Sequence, residues 1–134
     1  MTKKQAGFTL IELVVVLVLL GIIGAVATAR FQNLSTQAAD AVEQGVAGEL
    51  SSGAAINFAA RSLNPATGIA ISGAAFDCTD GTVDGLLQQG LPANVTLADG
   101  VDVDCTDADA TIQCLVHHSG GTATDAVATI LCIN

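Results

Sequence analysis

The chain has 134 residues, 51% of them apolar, and a net charge of −9 from four basic and thirteen acidic side chains. That length leaves room for one domain, and the composition is too apolar for a disordered chain. Lys3, Lys4, Arg30 and Arg61 are all the basic residues there are, and ten of the thirteen acids lie beyond position 48, so a broad phosphate-binding surface is excluded.

Residues 1–7 are short, polar and basic, and an apolar run with a single charge, Glu12, fills positions 8–29. As a helix of 1.5 Å rise per residue this run spans about 33 Å, the hydrocarbon thickness of a bilayer. Lys3 and Lys4 keep the short side cytoplasmic. A secretory signal is cleaved after its apolar region, whereas here the cleavable-looking residue, Gly7, precedes it. A carboxylate at Glu12, inside or at the edge of a span, is costly unless it finds a partner; the plainer reading is an acid favouring the helix start.

Gly7-Phe8-Thr9-Leu10-Ile11-Glu12-Leu13-Val14-Val15-Val16-Leu17 closely resembles the processing signature of type IV prepilins and type II secretion pseudopilins. The resemblance covers about the first 30 residues and beyond them is one of layout. It implies a leader peptide at 1–7, a transmembrane and filament-core helix at 8–29 and an extracytoplasmic head at 30–134. It further implies cleavage between Gly7 and Phe8 by a prepilin peptidase and methylation of the new Phe8 amine. Glu12 would pair with the Phe8 amine of a neighbouring copy during docking. Such a pair sets register more surely than it adds stability.

The implied partners are further copies in a helical filament, the peptidase, an inner-membrane assembly platform and the membrane itself before assembly. No nucleic acid is expected outside a role in DNA uptake. No cofactor is expected and the chain is read as a substrate, not an enzyme. The implied location is the bacterial inner membrane for the precursor and an extracellular pilus once assembled. Asn33-Leu34 and the small-residue helix after Arg30-Phe31 look most like pilins of the mannose-sensitive haemagglutinin group. Two other readings stand beside the pilus: a pseudopilin of a secretion system, and a bitopic membrane protein with a binding ectodomain that never polymerises.

Many pilins have a proline just before the Arg-Phe pair; here Ala29 occupies that place, so no proline kink is expected. Gly21 and Gly24 are then the weak points of the helix, each costing about 1 kcal/mol relative to alanine, and local melting in the filament is expected between them. From Phe31 the apolar residues Leu34, Ala38, Val42, Val46, Leu50, Ala54 and Phe58 recur at three and four, which continues the helix to about Arg61. Gly45, Gly48 and Gly53 would permit close approach of a strand or a neighbouring subunit. Asn64-Pro65 stops the helix. A loop over 64–82, a helical turn over 83–89 and strands at 95–103, 110–117 and 126–133 follow, with Asp99-Gly100 as a turn signal. The fold class is α+β: a long N-terminal helix packed on a small C-terminal antiparallel sheet, the type IV pilin fold.

Cys78, Cys105, Cys114 and Cys132 match no zinc or haem spacing, and an even count beyond a membrane reads as two disulfides. The preferred pairing is Cys114–Cys132, tying the last strand to its neighbour, with Cys78–Cys105. Cys105–Cys114 with Cys78–Cys132 is the next choice among the three permitted. Asp102, Asp104, Asp107 and Asp109 crowd one loop and are candidate calcium ligands, but they lack the D-x-D-x-D-G order and fit a solvated acidic face at least as well. His117 and His118 are adjacent, so a strand would point them apart. Asn33-Leu34-Ser35 and Asn94-Val95-Thr96 fit a glycan pattern that is common by chance.

Overall fold

The computed structural model describes residues 7–79, 81–101, 104–107, 110–122 and 124–133. The element order is α1 (Leu10–Leu63), a 3-10 turn η1 (Val83–Leu86), β1 (Val95–Asp99), β2 (Thr111–His118) and β3 (Ala126–Leu131). This is the expected α+β architecture. The chain divides into two compact units, Met1–Ser35 and Thr36–Asn134.

The first unit holds the start of α1, whose apolar stretch is long and apolar enough to cross a membrane. Every large apolar side chain from Leu10 to Val26 is exposed, and they lie on all sides of the helix. A helix apolar all round cannot rest against water; it requires lipid or other helices around it.

In the second unit α1 packs against the sheet. Its buried residues Ala39, Glu43, Val46, Ala47, Leu50, Ala54 and Asn57 recur at three and four, one stripe of a 3.6-residue period. The stripe differs from the expected one. Val42, one of the expected apolar positions, is exposed, whereas the acid next to it, Glu43, is 1% exposed. A pattern stepping strictly by four precesses about 40° around the helix per step, so the run of fours from Leu34 cannot stay on one face.

The sheet is antiparallel in the order β1-β2-β3. Ile112, Cys114 and Val116 of β2 face the core, as their alternation predicts, beside Val95 and Leu97 of β1 and Ala128 and Ile130 of β3. The turn signal at Asp99-Gly100 ends β1, and Gly100 N–H still donates to the Gln113 carbonyl at 2.9 Å. The loop after α1 is pinned by an isolated bridge between Ile71 and Ile133.

Side chains of α1 hold the connecting segments through their main chain. Asn57 is buried; its Oδ1 accepts from Ile69 N–H at 2.7 Å and its Nδ2 donates to the Ile69 carbonyl at 2.8 Å, the pairing a neighbouring strand would supply. Ser51 Oγ accepts from Thr129 N–H at 3.0 Å, covering the outer edge of β3. Asp40 and Glu43 clamp the β2–β3 turn: Glu43 Oε1 accepts from His118 N–H at 2.6 Å and Asp40 Oδ1 from Thr122 N–H at 2.7 Å.

Of the three helix glycines expected to allow close approach, Gly53 does so. A Cβ there would lie 2.5 Å from the Leu86 carbonyl oxygen, whereas at Gly45 and Gly48 it would meet nothing within 4 Å.

Candidate functional site

The N-terminal segment carries the site. Gly7, Phe8 and Thr9 lie outside the helix and are exposed, Phe8 by 86%. Thr9 is the N-cap: its carbonyl accepts the first helical bond, from Leu13 N–H at 3.3 Å. Its Oγ1 accepts from Glu12 N–H at 3.3 Å, while Glu12 Oε2 accepts from Thr9 N–H at 2.8 Å and from the Thr9 hydroxyl at 2.7 Å. This reciprocal arrangement is a capping box, and it satisfies two of the amides that every helix start leaves open.

Glu12 therefore has partners within its own chain and sits in the first turn of α1, as the plainer of the two readings expects. The signal in the sequence for Thr9 is the T-x-x-E spacing ahead of an apolar run. Asn57 gave no comparable signal, since one Asn in a helical stretch looks the same whether it faces solvent or a loop.

α1 passes through Gly21 and Gly24 without interruption in the isolated chain, and a Cβ at either position meets nothing within 4 Å. The expected melting concerns the assembled filament. Thr28 Oγ1 donates to the Gly24 carbonyl at 3.0 Å, a back-bond that adds a second local weakness beside the glycine.

The disulfides correct the expected pairing. Cys78 joins Cys114 and Cys105 joins Cys132, with Cα separations of 5.8 and 5.4 Å, the third of the three possible connectivities. The register gives the reason. Cys114 stands opposite Ala128 and Cys132 N–H bonds to the Ala110 carbonyl, so Cys114 and Cys132 share a face but lie four residues apart along the ladder. That is about 13 Å, beyond the reach of one disulfide. That separation rules out Cys114–Cys132 and, with it, Cys78–Cys105; the second choice falls because Cys114 is bonded to Cys78 and Cys132 to Cys105.

Of the calcium candidates, Asp102 and Asp109 lie outside the described residues. Asp104 Oδ1 accepts from Thr106 N–H at 2.9 Å and from its hydroxyl at 2.8 Å, and the hydroxyl first, then the amide, hold its carboxyl below the ordinary value. Asp77 is held low in the same way by Thr79. Asp99 Oδ1 accepts from Cys78 N–H at 2.8 Å, a structural role. Among the described residues no three His, Cys, Asp or Glu side chains converge as metal ligands. His117 Nδ1 lies 2.8 Å from Asp125 Oδ1, whereas His118 Nδ1 accepts from Gly120 N–H at 3.0 Å, so the two rings serve separate contacts.

Residues 2–28 match the family described as the prokaryotic N-terminal methylation motif. That match covers a signal of the class III type and is consistent with the type IV pilin and pseudopilin family and with processing by a prepilin peptidase. No curated protein and no solved structure shows a significant match to the chain.

Proposed function

We propose that this chain is the precursor of a type IV pilus subunit, a structural protein that is cut after Gly7, methylated on the Phe8 amine and polymerised through its N-terminal helix. The observation that carries the proposal is the exposure of Leu10 to Val26 around the whole helix, from 43% at Val14 to 80% at Leu10, behind a processing motif. Lipid covers that surface in the inner membrane; copies of the same helix cover it in the filament. The head at 30–134 then forms the filament exterior, and its acids and disulfides suit an extracytoplasmic surface.

Assembly on an inner-membrane platform brings the new Phe8 amine of an incoming copy to Glu12 of its neighbour. That amine competes with Thr9 for the carboxylate, and pairing fixes axial register by opposing two charges. Gly21 and Gly24 supply the place where the helix yields as copies pack.

The test is filament recovery. Shearing cells that express the chain yields long filaments whose N-terminal peptide begins with methylated Phe8, and Glu12→Ala abolishes them without loss of membrane-inserted protein. Retention of the processed chain in the envelope as short assemblies would move it to the pseudopilins. Unimpaired filaments from the Glu12→Ala variant would sink the assembly role of the pair.

A further inference from the structure

We infer that Thr9 is a positioning residue for leader-peptide cleavage: its capping box stops α1 short of the scissile bond and presents Gly7–Phe8 outside the helix. The inference rests on the reading above that cleavage occurs between Gly7 and Phe8.

Hydrolysis there breaks the amide between the Gly7 carbonyl carbon and the Phe8 nitrogen. Water supplies a hydroxyl to the acyl carbon and a proton to the departing Phe8 amine. The bond must be approached from one side of an accessible carbonyl, and proteolysis favours exposed, non-helical segments for that reason. In the first turn of a helix the same bond is wrapped by neighbouring side chains and its carbonyl is drawn into the backbone ladder.

The sequence beyond Thr9 pushes toward that outcome. An apolar run in lipid pairs its backbone groups within the helix wherever it can, so an uncapped helix grows N-terminally through Thr9 toward Phe8. Three contacts oppose this growth. The Thr9 hydroxyl takes the Glu12 amide, and the Glu12 carboxylate takes both the Thr9 amide and the Thr9 hydroxyl. The Thr9 amide is thus committed to a side chain rather than to a helical turn, and the structure shows the result: helix from Leu10, with Gly7 and Phe8 outside it and exposed.

The experiment compares initial cleavage rates of the full-length precursor in membranes containing a prepilin peptidase, each rate normalised to membrane-inserted precursor. Thr9→Ala removes the hydroxyl and is expected to slow cleavage about fivefold, the size of a lost N-cap. Thr9→Ser keeps the contact and is expected to stay within about twofold of the parent. Adding Leu10→Pro to Thr9→Ala restores the stop without the hydroxyl, because proline suits the first helical position and disfavours helix at the residue before it; the rate is expected to recover.

Thr9→Ala cleaved at the parental rate overturns the inference while leaving the cleavage reading intact. A slow Thr9→Ala that Leu10→Pro does not rescue also overturns it, by showing that the hydroxyl matters for something other than the helix stop. If mass spectrometry finds the parent uncut after Gly7, the cleavage reading falls and the inference with it.

Discussion

Replacing Asn57 with alanine removes the two hydrogen bonds that hold the loop at Ile69 against α1. Asn57 is 7% exposed, so both of its contacts lie largely out of water. Each neutral hydrogen bond contributes about 1 kcal/mol net, and truncation leaves both the N–H and the carbonyl of Ile69 unpaired. The site lines an open groove with Gly53, Ile56, Gly68 and Leu86. Water can therefore reach Ile69 in the variant, which keeps the loss near the sum of the two bonds, about 2 kcal/mol. For a compact unit of about 100 residues this lowers the melting temperature by roughly 10 °C. Scanning calorimetry of the detergent-solubilised full chain reads that shift directly. Asn57→Asp is the control: it keeps the acceptor for Ile69 N–H but turns a carboxylate oxygen toward the Ile69 carbonyl, so it is expected to lose at least as much. A melting temperature for Asn57→Ala within about 2 °C of the parent would refute the account of Asn57 as a surrogate strand.

Two further outcomes follow from the second unit. Peptide mapping without reduction is expected to recover Cys78 linked to Cys114 and Cys105 linked to Cys132; replacing the first pair by serine opens a loop of 36 residues and costs about 4 kcal/mol by chain entropy, measured as a shift in urea midpoint. The Asp77 and Asp104 carboxyls are both held below the ordinary value in the folded chain by a threonine hydroxyl and amide. Their contribution is present above the unfolded value of about 4 and is lost as the pH falls through the folded one, so melting temperature drops from about pH 4 downward. Replacing Thr79 and Thr106 with valine is expected to flatten that acid limb in a pH series of thermal scans, and an unchanged limb would count against it.

The parts of the fold governed by period and by strong punctuation were legible in the sequence. The alternation of Ile112, Cys114 and Val116 located β2 and its inward face, and Asn64-Pro65 placed the helix end within a residue or so of Leu63. Register was not legible, and the cysteine pairing depends on it: a shift of four residues along β3 separates a plausible bridge from an impossible one. The burial of Glu43 was hidden for another reason. An acid reads as solvent-facing until a main-chain amide is brought to it, and the amide of His118 lies 75 residues away. At the N-terminus the motif was legible as a recognition sequence, while the physical device inside it, the Thr9–Glu12 capping box, depends on two residue types at one spacing that the motif also contains.

The clamp on the β2–β3 turn has a consequence for how this surface tolerates change. Asp40 and Glu43 grip the turn by the amides of Thr122 and His118, and every residue except proline supplies such an amide. Gly121 is the fixed point, because a Cβ there would lie 2.6 Å from Glu43 Oε1 and 3.0 Å from Asp40 Oδ1. Ser119 and Thr122 beside it are exposed, and the clamp asks nothing of their side chains. The turn is thus anchored by its backbone and open to rewriting on its outside, a place where a new surface chemistry can be displayed without disturbing the framework that presents it.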